Sequence, residues 1–246
     1  MVPMSYWLLE TMGIPQAIAI RIAFGTSLLA ILPTVISGAW RHNKTGAVHW
    51  KIALILGPFG LIGALAGATL ASYLPGNVLV IGLGGLLLAT ALWMGLAQRT
   101  MPKPGTEHST EVNSPPKDAR WLSAVCGFPI GIVVGLSGTG GGILIVPVLV
   151  LIFHFPIHKA IGTSLASIIF ISLGGIIGYI LNGIGMSPLP YSIGYVNIPM
   201  WLCLVATSFP MAQLGAKASH VLPAQYIYYL FIAFMVYAGL KMLGLF

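Results

Sequence analysis

The feature that most restricts this chain is a series of apolar runs about as long as a bilayer is thick. Residues 17–39, 52–72, 77–97, 160–181, 196–215 and 223–245 form six such runs, bounded by charged or turn-forming residues, with Lys241 near the end of the last. A helix rises about 1.5 Å per residue, so about 20 apolar residues span the roughly 30 Å hydrocarbon core. Inside that core each backbone N–H and C=O must be paired within its own segment, so these runs are expected to be helices. Composition agrees: 57% of the 246 residues are hydrophobic and 6% are charged, against roughly a quarter charged in a soluble domain. A soluble globular fold is excluded. The 31 glycines suit helices that pack closely through small residues. The net charge of +7 reads as basic cytoplasmic loops rather than as a nucleic-acid surface. Cys126 and Cys203 lie within apolar stretches and are expected to be packing residues. No leading signal peptide is expected, since Met1 is followed by apolar residues, Pro3 and Glu10.

Two further apolar stretches, 121–136 and 143–155, are short and are separated by Ser137-Gly138-Thr139-Gly140-Gly141-Gly142. Arms of that length reach about 20–24 Å, which predicts a re-entrant hairpin with its tip inside the membrane. Arg41, Lys44 and Lys51 flank one connection, and Arg99, Lys103, Lys117 and Arg120 lie in another; both are expected on the cytoplasmic side. The second, 99–120, is polar and proline-rich and reads as a flexible linker.

The halves on either side of that linker repeat one another. Val2-Pro3 matches Val146-Pro147, Gly25-Thr26-Ser27-Leu28 matches Gly162-Thr163-Ser164-Leu165, and Leu74-Pro75 matches Leu222-Pro223, in the same order. Three spans per half make an inverted arrangement the expectation, and the charges agree. Loop 182–195 carries none, while Lys159 and Lys217 fall on the inner side. The expected class is an all-α integral membrane protein: two inverted repeats of three full helices, with a glycine-rich re-entrant hairpin in the second. The units are 1–98, the linker 99–120, and 121–246. Gly63, Gly67 and Ala71, and Gly215 with Ser219, are expected at helix contacts.

Candidate chemistry centres on the glycine tip. No lysine follows Gly142 and no strand precedes the loop, so it is not a phosphate loop. Gly138, Gly140, Gly141 and Gly142, with Thr139, leave backbone N–H groups at the start of a helix, where the dipole favours an anion. A turn that needs glycine only for its backbone angles is the plainer alternative. Thr26, Ser27, Thr163 and Ser164 supply hydroxyls to line such a site or to bond back to helix carbonyls. Glu10, Glu107, Glu111 and Asp118 all lie outside the spans, which argues against a carboxylate relay or cation coordination. His49, His154, His158 and His220 read as interfacial, and Arg21 and Lys159 as snorkelling residues or anion attractors. No paired acids or histidines suggest an intramembrane enzyme, and no catalytic residue, metal or cofactor is expected.

The combination Gly135-Leu136-Ser137-Gly138-Thr139-Gly140-Gly141-Gly142, Val146-Pro147 and Ala160-Ile161-Gly162-Thr163-Ser164-Leu165 resembles the TauE/SafE sulfite exporter family, also called the four-toluene sulfonate uptake permeases. The likeness extends over nearly all of the chain. It implies a permease for sulfur-containing anions such as sulfite, sulfonates or sulfoacetate in the cytoplasmic membrane of a prokaryote. The family pattern carries a glycine-rich hairpin in each half, so the first half is expected to hold an incomplete one, beginning at Val2-Pro3. The expected partners are a small anionic substrate and the lipid bilayer, with no nucleic acid; a homo-oligomer is an open alternative. Two other readings stay open: a permease for another small organic anion, and a non-transporting membrane partner or assembly factor.

Overall fold

A computed structural model describes residues 1–100, 119–153, 155–186, 189–208 and 224–244. The elements are α1 Val2–Thr11, α2 Gln16–Lys44, α3 Trp50–Tyr73, α4 Gly76–Thr100, α5 Ala119–Ser137, α6 Gly142–Leu151, α7 Ile157–Gly183, β1 Ser192–Ile193, β2 Val196–Asn197, α8 Ile198–Ser208 and α9 Ala224–Met242. The chain is thus nearly all helix. The stretches Gln16–Lys44, Trp50–Tyr73, Gly76–Trp93 and Lys159–Gly183 are long and apolar enough to cross a membrane. Large apolar side chains such as Leu54, Ile62, Ile81, Leu92 and Leu181 are exposed on their outer faces, as lipid contact requires. Of the expected run 196–215, residues 209–215 lie outside the described residues. So do 101–118 of the linker, and with them Glu107, Glu111 and Asp118, as well as His154, Lys217, Gly215, Ser219 and His220.

Local sequence sets the helix limits. Pro15 and Pro156 precede α2 and α7 at their N-caps, where a fixed φ suits the first turn. Arg41, His42 and Lys44 occupy the last turn of α2, where positive charge meets the negative end of the dipole. α1 and α6 have 10 residues each, about 15 Å, and neither can cross a bilayer. α1 was not among the expected runs. The loop after α7 holds a second feature not expected, the antiparallel pairing of β1 with β2, with Ser192 opposite Asn197.

Glycine faces draw the helices together. On α3, Gly63 sits against the carbonyl of Phe128 and Gly67 against that of Ile132; on α5, Gly131 faces Gly60 O and Gly135 faces Ala64 O. A Cβ at any of these four would collide with backbone, so α3 and α5 touch main chain to main chain. α3 also packs along α7, with Gly174 against Leu61 O, and α4 packs on α9. α2 and α7 run antiparallel through the centre. Leu28 lies over Gly175 and Leu165 over Gly38, where added Cβ atoms would come within 2.6 and 3.0 Å of the leucine methyls.

Candidate functional site at the glycine tip

α5 ends because Gly138 enters the left-handed region, φ 63°, where its N–H returns to Val134 O at 2.8 Å. Gly140 and Gly141 follow with φ of 80° and 78°, conformations that an L side chain rarely adopts. α6 begins at Gly142, with Leu144 and Ile145 donating to Gly141 O at 3.0 Å. The N–H groups of Gly140, Gly141 and Gly142 have no backbone acceptor among the described residues. They are the orphan donors of a helix start, at the positive end of the α6 dipole. Tyr179, fully buried on α7, donates its hydroxyl to Gly135 O at 2.7 Å and so satisfies a carbonyl left over at the end of α5. Ser137 donates to Val133 O at 2.8 Å, and its oxygen lies 2.9 Å from the Thr139 hydroxyl.

The tip is wedged between the two central helices. A Cβ at Gly138 would be 2.7 Å from Phe24 Cα, and one at Gly140 would be 2.8 Å from Ile31 Cδ1. Ser27 lies between Phe24 and Ile31 on that side of α2, three residues after one and four before the other. It is fully buried, and its hydroxyl has no partner among the described residues. From the other side, Ile168 of α7 faces Gly142, 3.5 Å from where a Cβ would be.

The other hydroxyls singled out in the sequence are not brought to the tip. Thr26 Oγ1 accepts the backbone N–H of Asn197 at 3.1 Å, and Thr163 Oγ1 accepts that of His49 at 3.0 Å. The glycine before each threonine makes room for the same loop: Gly25 faces Tyr195 O, and Gly162 faces Ala47 O. Each Gly-Thr pair therefore clasps the loop that enters α8 or α3 from the opposite half. Thr163 is level with Trp40 on α2, so the two threonines are about 21 Å apart along the helices and cannot meet on one small ion. Ser164 bonds back to Ile161 O at 2.8 Å. Ser172 of α7, fully buried and without a partner among the described residues, was not foreseen. A lone serine in an apolar run gives no sequence signal.

Charges lie toward the ends. Arg21 donates to Ala71 O at 3.3 Å, to Leu74 O at 2.8 Å and to the Tyr195 hydroxyl at 3.4 Å, tying the end of α3 to the β-hairpin. At the other end, His49 precedes α3 with its ring 5.3 Å from that of Phe155. Burial, with Lys51 and Lys159 nearby, lowers its imidazole below the ordinary value of 6.5.

A groove of about 1090 Å³ opens between α1 and α8, lined by Met4, Leu8, Met12, Met200, Cys203 and Leu204 among others. It is apolar and does not reach the tip residues.

Comparison with known proteins adds the family. The model of the family described as Sulfite exporter TauE/SafE matches residues 1–242. A probable membrane transporter protein of Methanocaldococcus jannaschii is 27% identical over 243 residues, 98% of this chain and 85% of that protein. Another, of Haemophilus influenzae, is 28% identical over 242 residues, 98% of this chain and 88% of that protein. The probable membrane transporter protein YdhB of Bacillus subtilis is 27% identical over 206 residues, 84% of this chain and 78% of that protein. No solved structure matches.

Proposed function

We propose that this chain, which belongs to the TauE/SafE sulfite exporter family and is a multi-pass membrane transporter, moves small sulfur-containing anions across the cytoplasmic membrane of a prokaryote by alternating access. The observation that carries the reading is the left-handed glycine tip, with its free N–H donors beside the unpaired hydroxyl of Ser27. A helix start with unpaired donors holds an oxyanion without a cationic side chain, and inside a membrane it also spares the cost of burying one. Gly138, Thr139, Gly140, Gly141 and Gly142 with Ser27 form the substrate site of this reading.

Residues 1–98 and 121–246 are then two inverted repeats joined by the cytoplasmic linker 99–120, with α5 and α6 as the re-entrant hairpin of the second. Two sets of contacts support this. α2 and α7 cross antiparallel with Leu28 on Gly175 and Leu165 on Gly38, so each motif leucine covers a glycine of the opposite helix. The Thr26 and Thr163 clasps are likewise the same contact made twice, once toward each end. We assign Thr26, Thr163 and Ser164 to this framework. Loop 45–49 on Thr163 closes the inner end and the β-hairpin on Thr26 the outer; alternating access needs each clasp to open in turn. The groove between α1 and α8 lies beside the first-half arm that starts at Val2-Pro3.

The test is uptake of radiolabelled sulfite into proteoliposomes under an imposed membrane potential, with a sulfonate and sulfate alongside. Saturable sulfite or sulfonate flux is expected, and its loss in Gly140→Ala with Gly141→Ala. Flux of another organic anion in place of these would leave a transporter with a different substrate. Binding without flux of any anion would favour a non-transporting membrane partner.

A further inference from the structure

Ser172 lies on the face of α7 that carries Ile168, four residues before it, and Gly175, three after it. Ile168 faces Gly142 of the tip, and Gly175 faces Leu28 of α2. Counting from the Leu28–Gly175 contact along the antiparallel pair, Ser172 is level with Ile31, whose methyl packs against Gly140. Ser27 is four residues along α2 from that level, about 6 Å on the helix axis. Both serines are fully buried and neither hydroxyl has a partner among the described residues. Leaving one buried hydroxyl unpaired costs about 1–3 kcal/mol. Two such groups on facing helices, at the level of a tip with free N–H donors, indicate a ligand that supplies acceptors.

We propose that Ser172 and Ser27 complete the oxyanion site from the two central helices, and that this set of uncharged donors selects singly charged sulfur oxyanions over doubly charged ones. The proposal rests on the reading of the tip as the transport site. A small oxyanion is wide enough to take one hydrogen bond from each serine while its remaining oxygen faces Gly140, Gly141 and Gly142. The nearest cation on α2 is Arg21, six residues or about 9 Å before Ser27, with its guanidinium spent on Ala71 O, Leu74 O and Tyr195. A second negative charge therefore enters a low-dielectric site with no countercharge among the described residues, and stays in water instead. The ligand class is a monoanion with two or three accessible oxygens: hydrogen sulfite or an alkyl sulfonate.

The experiment is isothermal titration of the full chain in nanodiscs with two probes of fixed charge, methanesulfonate and sulfate. Each titration is paired with a thermal melt. The wild type should bind methanesulfonate at least about tenfold more tightly than sulfate, and Ser172→Ala and Ser27→Ala should each weaken methanesulfonate about five- to tenfold. The melting temperature without ligand should be unchanged or raised in both variants, because an unpaired buried hydroxyl has been removed; Ser172→Cys, which keeps the shape with a poorer donor, should behave in the same way. Methanesulfonate binding unchanged in Ser172→Ala and Ser172→Cys, or a lowered melting temperature with binding intact, overturns the role of Ser172. Sulfate binding as tight as methanesulfonate overturns the charge selection. A wild type that binds neither ion fails earlier, at the reading of the tip itself, and takes this proposal with it.

Discussion

The two Gly-Thr-Ser-Leu elements do the same work at three residues and different work at the fourth. Gly25 and Gly162 admit a loop from the other half, Thr26 and Thr163 take its N–H, and Leu28 and Leu165 cover a glycine on the opposite long helix. Ser164 bonds back to its own helix, whereas Ser27, beside the glycine tip, is left unpaired among the described residues. The helices that follow also differ: α3 is sealed backbone to backbone against α5, while α8 faces an open apolar groove. What is duplicated holds the helices, and the asymmetry falls where a substrate would be held.

That comparison can be broken most forcefully at the α3–α5 seam. Gly131→Val places a branched side chain against Gly60 O and should cost about 3 kcal/mol or more. Cys203→Val, on the exposed groove side of α8, should change stability by less than about 0.5 kcal/mol. Thermal unfolding followed by fluorescence-detected gel filtration reads both, and equal losses would mean that α8 is as tightly sealed as α3.

A second test asks whether the clasps are equivalent. Thr26→Val and Thr163→Val each strand one backbone N–H, that of Asn197 buried and that of His49 half-buried, and should each destabilise by about 1–3 kcal/mol. Values that differ by more than about 1 kcal/mol would count against two matched clasps. The serines sharpen the contrast. Ser27→Ala should lower sulfite flux in proteoliposomes about fivefold, the worth of one neutral hydrogen bond, with Ser164→Ala within about twofold of wild type. Loss of flux in both variants would spread the site over the two halves.

The smallest effect is one of pH. Because the folded state holds His49 below its ordinary value of 6.5, its contribution to stability is complete above that value and declines as pH falls through the lowered folded one. The matching residue, Asn197, does not titrate, and it caps α8 by accepting the Met200 N–H at 2.9 Å. The melting temperature should therefore drop modestly on acidification below about pH 6.5, and this drop should shrink in His49→Gln. An unchanged pH profile in that variant would assign the acid sensitivity to a group other than the His49 imidazole.

Much of the architecture was legible in the sequence because lipid imposes a length on each helix. The runs 17–39, 52–72, 77–97 and 160–181 all fall within α2, α3, α4 and α7. α1, with ten residues, signals no span and was legible only through the match of Val2-Pro3 to Val146-Pro147; β1 and β2, with two residues each, were not legible. The glycine tip stood out because several glycines before a helix are rare. The threonines stood out for being duplicated, but a hydroxyl that holds a loop N–H and one that holds a ligand read alike in a sequence. The partners, Asn197 and His49, lie 171 and 114 residues away. Ser172 differs from an ordinary buried serine by having no partner among the described residues, which is a property of three dimensions.

The central claim is that the anion is held between the glycine tip and Ser27. It is tested most directly by soaking crystals of the protein with selenite, an analogue of sulfite, and locating selenium by anomalous diffraction. The account predicts one site within hydrogen-bond reach of the Gly140, Gly141 or Gly142 N–H and the Ser27 hydroxyl. Selenium bound elsewhere, with the tip empty at saturating selenite, would contradict it.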